Sequence, residues 1–212
     1  MPTPSCQKCA GRPRSSEREA RLHDLIHTAG RLFLQHGYRK VSLEMLAREA
    51  HVAVRTIYVK FGGKAGLLNA VLVANRERFY NTHDLEEDQR PLKQIIGDFA
   101  AHFLDLVTMP EALSMARMVI ADAPGNVELA QTFFDAGPKQ TREMLMRFFE
   151  RPDIRAQLRD DVDLTLLPVH LLNCVMGDPY TRLLFEPVEQ SREQVLSDLD
   201  KRLELFYRGV LR

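Results

Sequence analysis

Three neighbouring side chains, Val54, Arg55 and Thr56, have the chemistry for reading the bases of DNA. The planar guanidinium of Arg55 can bind the O6 and N7 atoms of a guanine, which discriminates against other bases by about 1–3 kcal/mol. Val54 and the methyl group of Thr56 suit contact with the methyl group of a thymine. The three residues therefore predict direct contacts with base edges in a major groove.

A second set of side chains suits the phosphate backbone. Ammonium, guanidinium and hydroxyl groups all donate to phosphate oxygens, and such contacts position a protein on DNA without reading its sequence. Two of the arginines flank a proline near the N-terminus, in an arm that resembles those entering the narrow minor groove of A·T-rich DNA. The predicted members of this set are Arg12, Arg14, Ser42, Tyr58, Lys60 and Lys64.

Two short helices separated by a tight turn are predicted to hold these groups. The first spans Leu43 to Ala50 and follows a serine, a residue type that caps helix N-termini. The second spans about 54–61 and turns Ile57 and Phe61 inward. This is the pattern of a helix-turn-helix, whose second helix lies in the major groove.

Charge is segregated along the chain. Residues 1–64 hold twelve Lys and Arg residues and five Asp and Glu residues, a net charge of +7. The remaining 148 residues hold 17 basic and 24 acidic residues, a net charge of −7, so the 212-residue chain is neutral as a whole. A basic N-terminal part on an acidic remainder predicts that only the former contacts a polyanion.

The rest of the chain shows helical periodicity and no strand pattern, which predicts an all-α fold: an N-terminal three-helix unit containing the helix-turn-helix, plus a C-terminal helical bundle. The predicted parts are a disordered basic arm at 1–15, a DNA-binding domain at 16–63, a connecting fourth helix at about 64–82, and a helical domain at 83–212. Gly137-Pro138 and Pro168 interrupt periodic segments, and we expect kinks there because proline removes a backbone donor.

Several classes of protein find no support in the sequence. No run of about 18 apolar residues occurs, so no membrane span is predicted. The first residues lack the apolar core of a secretory signal, and three cysteines build no disulfide framework, so we expect a cytoplasmic protein. Cys6 and Cys9 have the spacing of half a zinc site or of a redox pair, but two thiols in a disordered arm are the simpler interpretation. No catalytic constellation or phosphate-binding loop is present, so we predict neither an enzyme nor a cofactor.

A series of residues matches a family signature in type and spacing. They are Phe33, Gly37, Tyr38, Ser42, residues 46–50, Val52, residues 56–61, Lys64, Leu67 and Leu68. This series, within residues 17–75, resembles the signature of TetR-family transcriptional regulators. The resemblance implies a homodimer that binds double-stranded operator DNA through its N-terminal domain. It also implies that the larger C-terminal helical domain binds a small molecule and dimerises through its last two long helices.

The sequence departs from the family pattern at the turn. His51 stands where the family usually has glycine, and Ala53 stands where it usually has a capping serine. Loss of that cap costs about 0.5–2 kcal/mol unless another group satisfies the free N–H groups. Arg55 stands where the family often has a small residue, which predicts a base contact particular to this chain.

Residues 110–145 resemble, more loosely, the C-terminal domain of the AefR-like TetR subgroup, a resemblance that implies no defined ligand. A pocket between helices is mostly apolar, with a few polar groups that orient the guest. Nine side chains have the chemistry to line one, although methionine and phenylalanine at helical spacing also fill ordinary cores. The nine are Phe103, Met115, Met118, Val119, Phe133, Phe134, His170, Cys174 and Met176.

The last predicted helix, near 191–209, carries an apolar stripe between charged residues. With the segment around 162–184 it predicts a four-helix dimer interface, which places two recognition helices about 34 Å apart, as successive major grooves require. A ligand that changes this separation releases the DNA, a coupling of about 1–3 kcal/mol between two sites. The predicted interface residues are Leu171, Val175, Leu183, Leu196, Leu199, Leu203 and Phe206.

We therefore expect a sequence-specific DNA-binding transcriptional regulator, a homodimeric repressor that a small apolar or amphipathic effector releases. An alternative is a helical DNA-binding protein whose C-terminal domain only dimerises or binds a protein partner, with no small-molecule effector. A third alternative, an enzyme on a helical scaffold, requires turnover of a bound compound.

Overall fold

The chain folds into helices joined by short connections. The computed structural model describes residues 15–80, 85, 87–186 and 191–212. Within these residues there are eleven helices and no β-strand, apart from an isolated bridge between Leu158 and Leu211, which confirms the all-α prediction. The helices are α1 (Ser15–His36), α2 (Leu43–Glu49), α3 (Val54–Phe61), α4 (Lys64–Tyr80), α5 (Leu92–Thr108), α6 (Pro110–Asp122), α7 (Val127–Ala136), α8 (Pro138–Glu150), α9 (Pro152–Arg155), α10 (Leu167–Phe185) and α11 (Arg192–Val210).

Helices α1 to α4 share one hydrophobic core, and we call residues 15–80 the head. On α1 the core positions recur every four residues: Leu25, Ala29 and Phe33 are all completely buried. Gly37 ends α1 with a φ of 79°, a left-handed conformation that glycine adopts without steric cost, and its N–H donates to the carbonyl of Phe33. The next residue, Tyr38, packs its ring 5.4 Å from that of Phe33. This packing fixes the direction in which the chain enters α2.

Helices α5 and α8 to α11 enclose a second core, and we call residues 87–212 the body. Aromatic residues form much of this core: Phe148, Phe149 and Phe206 are buried, and the Tyr207 hydroxyl donates to the carbonyl of Lys93 at 3.2 Å. Desolvation by burial, with a smaller contribution from neighbouring acids, raises the pKa of Tyr207 to about 12. The last two long helices thus complete the interior of the protomer.

Helices α6 and α7 join the head to the body. Met115, Val119 and Leu129 are buried in the core of the head, although they belong to helices of the body. Two hydrogen bonds cross the same junction: the Arg39 N–H donates to Asp122 Oδ2 at 3.2 Å, and the Arg76 guanidinium donates to the carbonyl of Ala136 at 3.0 Å. The core of the head thus includes residues from beyond the predicted domain boundary at residues 82–83. The boundary itself remains a proposal.

One of the two predicted proline kinks is present, and the other is not. Gly137 separates α7 from α8, as predicted. Pro168 causes no kink, so that prediction was wrong: it lies in the first turn of α10, where its missing N–H has no intrahelical partner to lose. The break in α10 comes at Gly177, with a φ of 54°, two residues before Pro179.

An arginine satisfies the carbonyls that this break leaves free. Arg202 on α11 donates from Nε to the carbonyl of Cys174 at 2.8 Å and from Nη2 to that of Val175 at 3.1 Å. A Cβ on Gly177 would lie 3.3 Å from the Arg202 side chain, so glycine also leaves room for it. The kink is therefore a satisfied element of the packing between α10 and α11.

No single helix in the described part of the chain is long and apolar enough to cross a membrane. Helices α3 and α4 reach the required length and composition only as a pair, across a bend of 65°.

Candidate DNA-binding surface

Helix α3 is anchored in the head by its inner face. Ile57 is completely buried, and Val54 and Phe61 are half-buried against the same core. Gly62 ends the helix with a φ of 74°, and its N–H donates to the carbonyl of Tyr58 at 2.9 Å. The inward positions predicted for Ile57 and Phe61 are thus present, and they fix which side of α3 faces away from the protein.

The outer face of α3 is open to solvent. Arg55 and Lys60 are exposed, Tyr58 is 56% exposed and Val59 is 70% exposed. Arg55 and Val59 are four residues apart and lie one above the other on the helix surface. Val59 is not among the DNA contacts predicted from the sequence. Its position four residues after Arg55 was the pattern that could have placed it on the same face. The outer face therefore presents a cation, a phenol and an apolar side chain side by side.

The start of α3 carries no side-chain cap. Ala53 occupies the N-cap position and makes no side-chain hydrogen bond, as its residue type predicts. The preceding turn is closed by the N–H of Val52, which donates to the carbonyl of Ala47 at 2.9 Å. His51 has a φ of 52°, the one positive φ of a non-glycine residue within the described ranges. The N–H of Thr56 donates to the carbonyl of Ala53 at 2.8 Å, which leaves the N–H groups of Val54 and Arg55 open to an anion.

Ser42 caps α2 but is engaged on both sides. Its Oγ accepts the N–H of Met45 at 3.1 Å. The pKa of the Glu44 carboxyl is lowered mainly by a hydrogen bond from its own backbone N–H. A hydrogen bond with the Ser42 side chain lowers it further. A phosphate at Ser42 would meet this ionised carboxylate, so the phosphate contact predicted for Ser42 has a competitor.

Lys64 points into the protein, which corrects the prediction that it grips a phosphate. Its Nζ donates to the carbonyls of Tyr38 at 2.9 Å and Val41 at 3.0 Å, and it lies 4.3 Å from the centre of the Tyr38 ring. Desolvation lowers the pKa of Lys64 against the opposing charges of Asp122 and Glu128. Burial, and secondarily Glu128, raises the pKa of Tyr38 to about 12. The ammonium holds the turn between α1 and α2 because two carbonyls there lack other donors.

Most basic side chains of the head have no acidic partner in the described residues. The exception is Arg31 on α1, whose Nη2 lies 2.7 Å from the Glu49 carboxylate on α2. The exposed cations without an ion pair in this part of the structure are Arg21, Arg39, Lys40, Arg48, Arg55 and Lys60. Their uncompensated charge creates a positive potential that attracts a polyanion.

The predicted minor-groove arm and the two N-terminal thiols lie outside the described residues: Arg12, Arg14, Cys6 and Cys9. Cys174 is half-buried and unbridged, and burial raises its pKa against the opposing charge of Arg202. In the described ranges, no three or more His, Cys, Asp or Glu side chains stand close enough to hold a metal ion.

The nine residues predicted to line a ligand pocket do not meet in one cavity. Four pack with the core of the head, three pack with the core of the body, and two are exposed. In that order they are Met115, Met118, Val119 and Phe133; Phe103, Cys174 and Met176; and Phe134 and His170. Apolar residues at helical spacing have served here mainly as core, the alternative that the sequence left open.

A cleft of about 730 Å³ lies instead between the head and the body. Its walls come from α1 and α4 on one side and from α5 and α6 on the other. Of the nine predicted residues, Met115 is the one that lines it. The cleft therefore lies against a helix of the DNA-binding head.

Five of the seven predicted dimer residues are buried inside the protomer, which corrects that prediction. They are Leu171, Val175, Leu199, Leu203 and Phe206, each at most 2% exposed. Their stripes on α10 and α11 face each other and α5, so no second subunit can reach them. Leu183 and Leu196 are half-buried. The exposed apolar side chains of these helices are others, including Leu205 at 69% and Phe185 at 85%.

An exposed, basic second helix in a helix-turn-helix, carried on a larger helical body, defines a DNA-binding transcriptional regulator. Two family models match the chain. The model described as bacterial regulatory proteins, tetR family, matches residues 25–71, and that of the AefR-like transcriptional repressor C-terminal domain matches residues 94–208. The chain therefore belongs to the TetR family, whose members are transcription factors and not enzymes.

Known proteins agree with this assignment. The chain is 27% identical over 179 residues to the HTH-type transcriptional repressor ComR of Escherichia coli (strain K12), covering 82% of each protein. Its fold is similar to that of the flavonoid-responsive regulator FrrA, with a TM-score of 0.75 and 22% identity over 91% of this chain and 98% of that one. NalD, the secondary repressor of the MexAB-OprM multidrug efflux pump in Pseudomonas aeruginosa, gives a TM-score of 0.68 and 22% identity over 93% and 99%.

Proposed function

We propose that the chain is a homodimeric transcriptional repressor that binds operator DNA by placing α3 in the major groove. The observation that carries the proposal is the outer face of α3, where exposed Arg55 and Lys60 lack acidic partners while buried Ile57 fixes the helix. Repression is supported by the matched C-terminal family and by the ComR relative, since both descriptions name repressors. Because a bacterial operator lies in the cytoplasm, the protein acts there.

The outer face of α3 divides into base contacts and phosphate contacts. Arg55 reaches guanine and the apolar groups reach thymine methyl groups. The phenol and the ammonium further along the helix bind phosphates, with help from α2 and from the basic arm. The base-contacting set is Arg55, Thr56 and Val59, together with the exposed part of half-buried Val54. The phosphate-contacting set is Tyr58, Lys60, Arg12 and Arg14, together with Ser42, which must then give up its bond to Glu44.

The DNA-binding proposal is tested by selecting bound sequences from a random duplex pool and then measuring affinity at several salt concentrations. We expect log K to fall linearly with log salt, with a slope of about −0.9 per phosphate neutralised. Arg55→Ala should relax the preference at one base position by about 1–3 kcal/mol. Arg90→Ala, at an exposed arginine just before α5, is the matched control. An unchanged preference in Arg55→Ala, or a flat salt response, contradicts the proposal.

We further propose that the outer side of α10 and α11 forms the dimer interface. Leu205 is 69% exposed and Leu166, just before α10, is 64% exposed. The two lie at the same end of the helix pair, because His170 and Phe206 pack their rings 5.6 Å apart there. A symmetric pair of such patches gives an interface that uses the same surface on both subunits.

The dimer proposal is tested with Leu205→Arg, measured by light scattering and by operator binding. We expect a monomer that loses operator affinity, because one head reads only one half-site. Val127→Arg, at an exposed apolar residue of α7, is the control and should remain dimeric. A Leu205→Arg dimer with full operator affinity contradicts this interface.

We also propose that a small amphipathic effector releases the operator. The name of FrrA describes that protein as flavonoid-responsive, and this chain has a cleft of suitable size against its head. In the alternative, the body only dimerises or binds a protein partner, and no compound alters operator affinity. A screen of compounds for release of labelled operator DNA separates the two.

A further inference from the structure

The cleft between the head and the body has the size and walls of a small-molecule site. Its volume of about 730 Å³ lies within the range of about 300–1,000 Å³ that such sites occupy. Apolar side chains line it from both sides: Ile26 and Leu34 on α1, Val71 on α4, Leu106 on α5 and Met115 on α6. A flat apolar guest can lie between these walls, and methionine sulfur makes favourable contacts with aromatic rings.

The polar groups of the cleft define the chemistry of that guest. His23 and His27 on α1, Asn75 on α4 and Glu111 on α6 line it and are exposed, and their side chains make no hydrogen bond within the described residues. Imidazole and amide groups both donate and accept, and a carboxylate accepts. Hydroxyl groups match this mixture because each of them also donates and accepts.

A strongly anionic guest fits less well. The guanidinium of the cleft, Arg31, is already engaged by the Glu49 carboxylate at 2.7 Å and by Gln35 at 3.2 Å. The Glu111 carboxylate on the opposite wall adds a negative charge. The balance favours a neutral molecule with an aromatic body and peripheral hydroxyl groups.

We infer that this cleft is the effector site and that it takes a hydroxylated aromatic molecule, an inference that rests on the proposed effector-controlled release. The guest contacts α1 of the head and α6 of the body at once. The head and the body can adopt one relative position that fits the operator and another that does not. The guest releases the operator because it binds more tightly to the second position. Operator DNA must then weaken guest binding by the same factor by which the guest weakens operator binding.

The test uses the trihydroxylated stilbene resveratrol and its hydroxyl-free parent, trans-stilbene, with the full chain and calorimetry. We expect resveratrol to bind about tenfold or more tightly than trans-stilbene, because the parent leaves the polar groups of the cleft unpaired. Ala112→Phe fills the cleft and His27→Ala removes one polar group. Each substitution should lower the affinity for resveratrol by about tenfold. Ala121→Phe, on an exposed position of the same helix, should bind as the unaltered chain does.

Operator binding is measured on the same variants without any compound. Ala112→Phe and His27→Ala should retain it and lose only release by resveratrol. Variants that bind resveratrol normally and still release the operator overturn the cleft as the site but leave the proposed function standing. Equal affinities for the two stilbenes overturn the hydroxyl recognition, and an unaltered chain that binds neither overturns the inference. If the unaltered chain shows no sequence-specific operator binding, that result instead refutes the proposed function itself.

Discussion

Most exposed arginines of the body pair with acids, whereas the exposed cations of α2 and α3 have no acidic partner among the described residues. In the body, Arg192 lies 2.6 Å from Asp105 and Arg159 lies 2.8 Å from Asp161. In the head, Arg55 and Lys60 face solvent without such a neighbour. Exposed ion pairs contribute about 0–1 kcal/mol each. Their main effect here is to neutralise the cations of the body, so that the attraction for a polyanion is confined to the head.

Two helix ends show a local contrast, although α5, α6, α8, α9 and α10 of the body also start without a side-chain cap. In the body, Ser191 caps α11 by accepting the N–H of Gln194 at 3.2 Å, and Arg202 satisfies the carbonyls at the break in α10. In the head, α3 starts at uncapped Ala53, directly after the left-handed His51. Strained or unsatisfied groups persist where function uses them. Arg142 Nε on α8 of the body is also buried without a hydrogen-bond partner among the described residues, so unsatisfied groups are not confined to the head. What distinguishes the start of α3 is its position directly after the left-handed His51, beside exposed cations.

Lys64 differs from the exposed cations of the head because it points inward and donates to two backbone carbonyls. Its replacement should give the largest loss of stability. Lys64→Met removes the donor to two carbonyls, those of Tyr38 and Val41, and each unsatisfied buried acceptor costs about 1–3 kcal/mol. We expect the free energy of unfolding in urea to fall by about 3 kcal/mol. The control is Lys60→Met, four residues earlier, which should leave stability within about 0.5 kcal/mol but weaken operator binding. Equal loss of stability in both variants contradicts the inward placement of Lys64.

Replacing Arg202 tests whether its hydrogen bonds to the carbonyls at the break in α10 stabilise the body. Arg202→Met leaves the carbonyls of Cys174 and Val175 without their donor, in a half-buried setting where water replaces part of the loss. We expect the free energy of unfolding to fall by about 2 kcal/mol. Arg208→Met on the same helix breaks an exposed pair with Glu204 and should cost about 0.5 kcal/mol or less. If the two arginines prove equivalent, the break in α10 is satisfied by water and not by Arg202.

Sequence patterns sufficed where a local rule decides the outcome. The two helices of the reading surface, the inward Ile57 and the uncapped start at Ala53 all follow from periodicity and capping within a few residues. The positive φ of His51 agrees with its replacement of a family glycine. In each case the residues that decide the structure are neighbours in the chain.

Patterns failed where the deciding partner is distant. Lys64 looks like an exposed cation until the carbonyls of Tyr38 and Val41, 26 and 23 residues earlier, come within reach. Leu199 and Leu203 have the spacing of either a core or an interface, and only the packing of α10 and α5 against them decides for the core. Periodicity identifies an apolar face but does not identify what covers it.

Ala53→Ser tests whether the open start of α3 serves DNA binding. A serine at this N-cap should accept one of the free N–H groups and stabilise the head by about 1 kcal/mol in urea unfolding. If those N–H groups bind phosphate in the complex, the added cap competes with DNA, and operator affinity should not rise with stability. The control, Ala121→Ser in the last turn of α6, provides no cap and should not stabilise. A parallel rise of stability and affinity contradicts a role for these groups in DNA contact.

His51 should give the smallest effect, and one whose sign is informative. Its φ of 52° is adopted freely by glycine, tolerated by histidine and disfavoured for alanine. His51→Gly relieves strain of about 1 kcal/mol, but the added freedom of the unfolded chain offsets roughly half of it, so we expect a net gain of about 0.5 kcal/mol. His51→Ala should lose a similar amount, because its Cβ remains in the left-handed region without a polar group to bond locally. Opposite signs for the two substitutions in urea unfolding therefore identify backbone strain at the turn. Equal effects would mean instead that the imidazole itself is what the head requires there.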